Sequence, residues 1–314
     1  MKYLVTGGAG FIGSNIVEAL VRRGDTVVVL DNFSTGKREN LQGFRDRVTV
    51  IEGSITDLPS VRRAAEGCDF VFHQAALASV QRSVDDPLTS NEVNVKGTLN
   101  VLVAARDAGV KRLVYAASSS AYGDTEVLPK REDMPGRPMS PYAIQKWVGE
   151  HYCRVFSSLY NLDTVALRYF NVFGPRQDPN SDYAAVIPIF VTRLLAGTEP
   201  TIYGDGEQSR DFTFIENIVD ANLRACEGAP KRGEVVNVAC GSRFTLNEIF
   251  QQICDLLRVK KEPRYAPARQ GDVRHSMADI SRAKVVLGFE PKVDFSTGLR
   301  RTVEWYRSTA AVGR

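Results

Sequence analysis

The chain has 314 residues, enough for two domains or for one large α/β domain with a smaller lobe. Forty Lys and Arg residues against 37 Asp and Glu give a net charge of only +3. Both signs are mixed along the sequence, which argues against a nucleic-acid-binding protein. Hydrophobic residues make up 43% and charged residues 25%, values that exclude a disordered or low-complexity chain.

Five widely spaced cysteines, without a CxxC pair or a histidine at zinc-finger distance, indicate neither a disulfide framework nor a metal site. No apolar run approaches the roughly 18 residues that a membrane span needs, and the residues after Met1 lack the pattern of a signal peptide. These features predict a cytoplasmic protein that binds no metal, membrane or nucleic acid.

Short β-branched runs alternate with amphipathic stretches through the first half of the chain, as is typical of a parallel sheet with helices on both faces. The predicted strands cover residues 3–6, 26–30, 48–52, 70–73, 112–116 and 164–168. Predicted helices run from Phe11 to about Gly24, from Asp86-Pro87 to Gly109, and from Ser140-Pro141 to about Tyr160.

The regular alternation stops after Phe170, where glycine and proline mark loops and the helical pieces become shorter. A buried strand at 234–239 is predicted to return to the sheet, followed by helices at 245–257, 279–287 and 296–307. We therefore expect a doubly wound parallel sheet over residues 1–172, with a returning segment near 211–240. A smaller C-terminal α/β lobe, expected to bind the substrate, covers residues 173–314.

A glycine-rich turn, Thr6-Gly7-Gly8-Ala9-Gly10-Phe11-Ile12-Gly13, joins the first strand to the first helix. Glycine permits a tight turn and close approach of the backbone to a diphosphate, and the helix N-terminus attracts the anion. Asp31 follows 18 residues after Gly13, where it can accept both ribose hydroxyls of an adenosine and repel a 2′-phosphate. The pattern predicts a Rossmann-type site for NAD rather than NADP, with Lys37 and Arg38 as solvated cations.

Tyr142 and Lys146 lie four residues apart near the start of the third helix, so they share one face. Free tyrosine has a pKa of about 10, too high for a base at neutral pH, and Lys146 or an oxidised nicotinamide would lower it. Ser118, Ser119 and Ser120 follow the fifth strand, at the edge where ligands of such sheets bind. A hydroxyl there can hydrogen-bond to the reacting oxygen.

On these residues the chain resembles the extended short-chain dehydrogenase/reductases and, within them, the nucleotide-sugar 4-epimerases. The resemblance covers nearly the whole chain. It includes the GxxGxxG of Gly7, Gly10 and Gly13, the helix asparagine Asn94, and the trio Ser118, Tyr142 and Lys146. It extends to residues 167–174 and to Arg210-Asp211-Phe212, which narrow it to sugar nucleotides. The activity it implies is that of an NAD-dependent isomerase.

The resemblance implies three sets of functional residues. The catalytic set is Tyr142, Lys146 and Ser118. The NAD site would comprise, besides Tyr142 and Lys146, the residues Gly7, Gly10, Phe11, Ile12, Gly13, Asp31, Asn32, Ser34, Thr35, Gly36, Ser54, Ile55, Gln74, Ala75, Ala76, Asn94, Ala116, Ala117 and Tyr169. The substrate site would comprise Ser118, Ser119, Ser120, Asn171, Ala185, Val186, Tyr203, Arg210, Arg269, Asp272 and Ser276.

The resemblance also assigns roles within the substrate site. Asn171 is placed near the substrate phosphate, Tyr203 against the uracil, and Arg210 and Arg269 on the pyrophosphate. Arginine suits that last role because its planar guanidinium can donate two hydrogen bonds to one anion. Both arginines are expected in glycine-flanked loops. Ser54 stands where many relatives place an Asp beside the adenine.

The serine triplet narrows the reaction that the resemblance implies. Related dehydratases carry Thr-Asp-Glu where this chain has Ser118-Ser119-Ser120, and decarboxylating relatives keep a Glu at the last position. Simple epimerisation therefore remains. In its cycle Tyr142 takes the proton of the C4 hydroxyl, a hydride passes to NAD, the 4-keto sugar turns over, and the hydride returns to its other face.

Ser276 is small where epimerases restricted to glucose and galactose resemble one another in carrying a bulky Tyr. Room for a 2-acetamido group, together with residues 183–188, favours UDP-GlcNAc and UDP-GalNAc, with UDP-Glc and UDP-Gal as further substrates. Two alternatives stay open. One is a UDP-glucuronate or pentose 4-epimerase in which Arg274 meets a carboxylate, and the other is a non-catalytic NAD-binding sensor. Relatives usually form homodimers through two long helices, here near 84–109 and 140–160.

Overall fold

A computed structural model of the chain describes residues 1–179, 185–268 and 273–312. In chain order its strands are β1 (Lys2–Thr6), β2 (Thr26–Asp31), β3 (Val48–Glu52), β4 (Phe70–His73), β5 (Arg112–Ser118), β6 (Asp163–Tyr169), β7 (Val172–Phe173), β8 (Thr201–Tyr203), β9 (Ser209–Arg210), β10 (Thr213–Phe214), β11 (Glu234–Val238), β12 (Phe244–Thr245) and β13 (Arg264–Ala266). Its α-helices are α1 (Phe11–Arg22), α2 (Leu58–Ala65), α3 (Val80–Asp85), α4 (Pro87–Asn91), α5 (Gly97–Asp107), α6 (Pro141–Leu159), α7 (Val186–Leu195), α8 (Ile215–Cys226), α9 (Leu246–Leu257), α10 (Ser281–Leu287) and α11 (Phe295–Val312).

Seven strands form one sheet in the order β11-β6-β5-β4-β1-β2-β3, and all neighbours in it are parallel. The order reverses between β1 and β4, because the chain first builds outward to β3 and then crosses back. Ligands of such open sheets bind at the carboxyl ends of the strands beside this reversal. The predicted doubly wound parallel sheet is confirmed, and β11 supplies the predicted returning strand.

Both faces of the sheet are buried, because neighbouring residues of one strand enter different cores. Val29 of β2 packs in a core that includes residues of α1 and α8, whereas Val28 and Leu30 pack with residues of α2, α5 and α6. The first of these cores continues without a break into the C-terminal part of the chain, where it includes Phe190 and Phe250. The two predicted lobes are therefore closely packed.

The predicted helix from residue 86 to 109 is confirmed apart from its last residues. It consists of α4, a wider π-helical turn at Glu92–Lys96, and α5, with helical backbone angles at both junctions. Turns of this kind are frequent at functional sites. Here the wide turn contains Asn94, whose side chain holds a neighbouring loop, as described below.

Several elements of the C-terminal part were not predicted. Helix α7 has almost no polar face over most of its length, so it lacks the periodic pattern that identifies a helix. Helix α8 and the short strands β7, β8, β9, β10, β12 and β13 were also missed. Strand β9 corrects one detail of the site prediction, because Arg210 lies in a strand paired with β12 and not in a loop.

Helix α6 lies unusually close to the sheet. It begins after Ser140, whose hydroxyl accepts the Ala143 N–H at 3.1 Å, and it has Pro141 in its first position. A β-carbon at Gly149 would lie 2.3 Å from the Tyr115 hydroxyl oxygen of β5. The glycine therefore allows the tyrosine to fill the space between helix and strand.

Three further observations bear on partners and cofactors. The five cysteines are all free. Within the described ranges, no helix has both the length and the apolar character to cross a bilayer. The same residues contain no group of three or more His, Cys, Asp or Glu side chains that could hold a metal ion.

We expect Gly149→Ala to lower the free energy of unfolding by about 1–3 kcal/mol, because the added methyl group overlaps Tyr115. The matched control is Gly43→Ala, whose methyl group meets open space and should change stability by less than about 0.5 kcal/mol. Chemical denaturation followed by circular dichroism measures both values. Equal stability of the two variants would contradict this account of the α6–β5 contact.

Candidate active site

The glycine-rich turn is built by backbone contacts that no side chain would permit. Gly7 has a φ of +67°, and a β-carbon there would lie 2.7 Å from the backbone of Ala75. A β-carbon at Gly13 would lie 2.1 Å from the Gly7 carbonyl oxygen, so α1 starts directly against the turn. Gly10 precedes α1 without a side-chain cap. The N–H groups of the first helical turn, beginning at Phe11 and Ile12, are therefore available to an anion.

Asp31 closes the same region from the end of β2. Its carboxylate accepts the Ala9 N–H at 2.9 Å and the Phe33 N–H at 2.8 Å. Burial raises the pKa of Asp31, and these two hydrogen bonds oppose the rise. A carboxylate has about four acceptor positions, so two remain for ribose hydroxyls. The glycine turn and Asp31 together fit an adenosine diphosphate.

The loop after Asp31 is fixed by its own contacts. Ser34 donates to the Asn32 side chain through its N–H and its hydroxyl, at 3.1 and 2.8 Å. Gly36 passes so near Asp31 that a β-carbon would lie 2.8 Å from the carboxylate. Lys37 and Arg38 are exposed, as expected of solvated cations, and both also form ion pairs at the surface. Lys37 lies 2.9 Å from Asp178, and Arg38 lies 2.6 Å from Glu52.

Ser54 and Ile55, predicted beside the adenine, follow β3. The Ser54 hydroxyl shares a hydrogen bond with the Thr56 hydroxyl at 2.8 Å. Ile55 is buried against Gly97 at the start of α5, and its carbonyl accepts from Asn100 at 2.9 Å. At this position the Ile55 side chain can offer an adenine ring an apolar contact.

Gln74 and Tyr169 meet at the carboxyl ends of β4 and β6. The Tyr169 hydroxyl donates to Asn222 of α8 at 2.9 Å, and the Gln74 side chain lies 3.2 Å from both partners. Ala75 and Ala76 follow Gln74, and the Ala75 N–H donates to the Thr6 hydroxyl at 3.3 Å. Asn222 was not predicted, since nothing in the sequence relates α8 to these strand ends.

The Asn94 side chain is buried, and its hydrogen bonds are to other residues of the protein. Its side chain accepts the Leu77 N–H at 2.9 Å and donates to the Leu77 carbonyl at 3.2 Å and to the Gln145 side chain at 2.9 Å. It therefore ties the loop after β4 to α6. Gln145 also accepts a hydrogen bond from the Ser90 hydroxyl at 2.8 Å. The sequence does not predict this role, although Gln145 directly precedes Lys146.

Lys146 is buried beneath the carboxyl end of β5. Its ammonium donates to the Ala116 carbonyl at 2.8 Å and lies 5.0 Å from the centre of the Tyr115 ring. Burial lowers the pKa of Lys146 to about 8, while the charge of Glu150 opposes that decrease. Ala116 and Ala117 are buried in the strand itself. The lysine is thus still largely protonated at neutral pH.

Tyr142 lies one helical turn before Lys146, and its phenol group lies close enough to the Ser118 side chain to interact with it. Burial raises the pKa of Tyr142, and the interaction with Ser118 opposes the rise. The expectation that Lys146 and an oxidised nicotinamide lower this pKa stays a prediction. The lysine ammonium donates to the Ala116 carbonyl.

The serine triplet forms the turn at the end of β5. Ser118 ends the strand, and its hydroxyl oxygen accepts the Ser120 N–H at 3.2 Å and the Ser120 hydroxyl at 2.8 Å. Ser119 and Ser120 begin the 3-10 turn Ser119–Tyr122. Ser118 therefore links the turn to the Tyr142 hydroxyl.

A cavity of about 200 Å³ lies beyond this turn, between the end of β6 and the C-terminal part of the chain. Four predicted substrate residues line it: Asn171, Ala185, Val186 and Arg210. The lining also contains Val172, Phe173, Ile187, Gln208, Phe212 and Leu246, which were not predicted. A mixed wall of aromatic, aliphatic and a few polar groups is usual for a small-molecule site.

The other predicted substrate residues lie around this cavity or outside the described residues. Arg210 donates to the Arg274 carbonyl at 3.0 Å, and the neighbouring Ser276 N–H donates to the Ser209 carbonyl at 3.0 Å. Tyr203, at the end of β8, is 38% exposed. Arg269, Asp272 and residues 183–184, which were also predicted for the substrate site, lie outside the described residues.

Asp211 joins the segments that surround Arg210. It is completely buried, and its carboxylate accepts the N–H groups of Cys240, Gly241 and Ala278 at 3.0, 3.0 and 3.1 Å. Burial raises the pKa of Asp211 to about 7, although the three hydrogen bonds oppose the rise. The sequence motif contained this residue, but its anchoring role depends on loops that are distant in the chain.

Known proteins match this arrangement along the whole sheet. The sequence profile of the NAD dependent epimerase/dehydratase family matches residues 3–239. The chain belongs to this family. The match covers the glycine turn, Asp31, the serine triplet, Tyr142, Lys146 and Arg210, and it makes NAD the cofactor of this protein.

Individual relatives are similar over nearly their full length. A UDP-glucose 4-epimerase of Mycolicibacterium smegmatis is 42% identical over 312 residues, 98% of this chain and 99% of the relative. A UDP-N-acetylglucosamine 4-epimerase from Methanobrevibacter ruminantium M1, solved in complex with UDP-N-acetylmuramic acid, is 44% identical, with a TM-score of 0.94 and 98% coverage of both chains. A UDP-glucose 4-epimerase of Thermotoga maritima, solved with UDP-glucose, is 41% identical, with a TM-score of 0.94 and coverage of 99% and 100%.

We expect Asp31→Asn to weaken NAD binding about 10- to 100-fold, because the neutral amide loses charged hydrogen bonds and disturbs the two N–H groups that it anchors. The preference for NAD over NADP should narrow as well, since the charge that repels a 2′-phosphate is gone. The control Asp57→Asn alters a carboxylate that caps α2 and should leave both affinities unchanged. Calorimetric titration with NAD and NADP measures both affinities. An unaltered ratio of the NAD affinity to the NADP affinity in Asp31→Asn would refute the assignment of Asp31 to the ribose hydroxyls.

Proposed function

We propose that this protein is an NAD-dependent 4-epimerase of UDP-sugars. One observation carries the proposal: Tyr142, Ser118 and the buried Lys146 lie together at the carboxyl end of β5, on the strand edge that also carries the glycine turn. This arrangement supports a proton-transfer group next to a dinucleotide site. The named activities of the relatives support the same reaction.

NAD would be held by the first turn of α1, by Asp31 and by Lys146. When bound, it supplies a hydride acceptor and donor together with the positive charge of its oxidised ring. Phe33 and Arg38 form a stacked pair, 3.9 Å from guanidinium carbon to ring centre, beside the Asp31 loop. We infer that the residues predicted around the adenosine, from Asn32 to Gly36 and at Ser54 and Ile55, complete this site.

The protein's own groups transfer the proton. Ser118 orients the C4 hydroxyl of the sugar toward Tyr142. The positive charge of Lys146 and of the oxidised cofactor would favour the ionised form of Tyr142 against the effect of burial. Tyr142 then takes the proton of that hydroxyl as the carbon is oxidised, and it returns the proton when the carbon is reduced. Lys146 supplies a buried positive charge one helical turn away and holds the backbone of β5 through Ala116.

Inversion requires that the sugar presents both faces to the same site. Arg210, together with Arg269, would hold the diphosphate while the sugar itself turns. The cavity lined by Asn171 and Arg210 supports this division into an anchored and a turning part. The three residues 118–120 are all serines, so none of them supplies a carboxylate that could act in the removal of water. The Ser120 hydroxyl instead donates to the Ser118 hydroxyl. The geometry therefore favours epimerisation over dehydration.

The sugar is proposed to be UDP-GlcNAc and UDP-GalNAc, with UDP-Glc and UDP-Gal as further substrates. Ser276 supports this choice, because a small side chain leaves space for an acetamido group. The uronate alternative relied on Arg274, whose guanidinium is 61% exposed and lies 2.9 Å from Asp205. That pairing gives the arginine another partner, so it does not favour a uronate. A sensor without turnover would have no use for Tyr142 and Lys146.

We further propose that the protein is a cytoplasmic homodimer. Helices α3, α4 and α6 expose apolar side chains at Val84, Leu88, Ile144, Val155 and Leu159. Exposed apolar surface on neighbouring helices is typical of a subunit interface. Light scattering of the purified protein measures this state directly.

The function is tested by incubating purified protein separately with UDP-GlcNAc, UDP-Glc and UDP-GlcA, and resolving the C4 epimers by NMR. We expect UDP-GalNAc from the first and UDP-Gal from the second. Formation of neither product would remove the proposal. UDP-GalA as the preferred product would replace it with the uronate alternative.

Tyr142→Phe should lower turnover about 10²- to 10⁴-fold, because it removes the only atom that exchanges the proton. NAD should remain bound, since the ring and the helix are retained. Tyr152→Phe, on the same helix but packed in the core, is the matched control and should keep turnover within about twofold. Full activity of Tyr142→Phe would reject Tyr142 as the base.

A further inference from the structure

A buried ion pair lies on the face of α6 that carries Tyr142 and Lys146. The Glu150 carboxylate accepts hydrogen bonds from the Nε and Nη2 atoms of Arg168 at 2.8 and 2.7 Å. The two side chains are only 3% and 4% exposed. Glu150 lies one helical turn beyond Lys146, and Arg168 is the last residue but one of β6. The pair therefore joins the helix of the proposed base to the carboxyl edge of the sheet.

Arg168 also contacts the turn that carries the serines. Its guanidinium stacks over the Tyr122 ring at 4.6 Å, and Tyr122 ends the 3-10 turn that follows Ser118. The Tyr122 hydroxyl is fixed by donation to Asn237 at 2.7 Å. One guanidinium thus contacts α6 through Glu150 and the serine turn through Tyr122. The position of the Arg168 guanidinium therefore influences the distance between Ser118 on the turn and Tyr142 on α6.

Few ionisable groups act on Lys146 within the described part of the chain. They are Tyr142, Glu150 and Cys153 of α6, His73 of β4 and Tyr115 of β5, with Arg168 of β6 behind Glu150. Burial lowers the pKa of His73 to about 3 and raises the pKa of Cys153, Tyr115 and Tyr142, so these four groups are uncharged near neutral pH. Among them, Glu150 supplies the negative charge that favours the ammonium of Lys146.

Stability alone does not account for an ion pair at this place. Removing two charges from water costs several kcal/mol, and apolar residues of similar volume are often as stable or more so. An ion pair beside a buried lysine has a second effect, because its near member shifts the protonation of that lysine. Glu150 lies on α6, one turn from Lys146, whereas Arg168 lies on β6. Glu150 is therefore the member of the pair that acts on Lys146.

We propose that Glu150 and Arg168 form a positioning pair for the reaction: Arg168 holds α6 against the serine turn, and Glu150 keeps Lys146 protonated. The link to turnover rests on the proposed function. The effect on Lys146 does not, and it can be measured without substrate.

The test compares two charge-removing variants with a matched control. Glu150→Gln removes the anion, and Glu150→Gln/Arg168→Gln removes both charges, so no unpaired charge stays buried. The control is Arg112→Gln/Asp163→Asn, which removes a second ion pair with side chains 7% and 14% exposed. That pair joins β5 and β6 where the two strands begin, at the edge of the sheet opposite to Ser118.

The primary readout is NMR of protein labelled with ¹³C-lysine, with the Lys146 ε-carbon assigned by its absence in Lys146→Arg. Its titration midpoint should lie at a pH of about 8 in the unaltered protein. We expect a lower midpoint in Glu150→Gln. The decrease should be smaller in the double variant, because the positive charge of Arg168 is removed together with the anion, and the control should show no change. The alkaline limb of kcat with UDP-GlcNAc should move by the same amount, because lysine deprotonation then occurs at lower pH.

An unshifted Lys146 titration in the folded double variant would overturn the inference, as would an equal shift in the control. If Glu150→Gln does not fold, the charge-balanced double variant carries the test. Absence of turnover in the unaltered protein would count against the proposed function alone, because the NMR titration still decides the role of Glu150.

Discussion

The candidate site depends on how closely helix α6 lies on strand β5. Only a glycine at position 149 leaves room for the Tyr115 hydroxyl beneath the helix, and this approach brings the Lys146 ammonium within 2.8 Å of the Ala116 carbonyl. With the lysine fixed there, Tyr142 one turn earlier meets Ser118 at the end of the strand. The proton-transfer group is therefore a consequence of one helix–strand contact.

The same strand edge unites the other parts of the site. The glycine turn after β1 and the Asp31 carboxylate at the end of β2 are joined by the Ala9 N–H. Asn94 and Gln145 connect the loop after β4 to α6. The order of the strands brings these ends together, so the proposed cofactor site and the proposed base are parts of one hydrogen-bonded framework.

Much of this could be predicted from sequence because it is encoded locally. Alternating apolar runs indicate the strands, and the spacing of Gly7, Gly10 and Gly13 predicts a turn whose close contacts the structure confirms. The family resemblance predicts the clustering of Asn171 and Arg210 around one cavity. The wide turn around Asn94 was not predicted. The Asn94 side chain bonds to the Leu77 backbone, a tertiary contact that local sequence does not encode.

Electrostatics was the least predictable aspect. The spacing of Tyr142 and Lys146 suggests a lowered tyrosine pKa, but burial raises it, and burial is a property of the assembled fold. Likewise Glu150 and Arg168 were both visible in the sequence, Glu150 four residues after Lys146 and Arg168 within residues 167–174. Their pairing became evident only when α6 was placed on β6. Local patterns identify the chemical groups, whereas tertiary contacts determine their protonation.

The central claim is that a hydrogen leaves the sugar carbon and returns to it within one closed site. It is tested most directly with UDP-GlcNAc and UDP-Glc carrying deuterium at C4. The account predicts C4-inverted products that keep the deuterium at C4 after turnover in ordinary water. Inverted products that have exchanged this deuterium for solvent hydrogen, or full retention of configuration at C4, would contradict it.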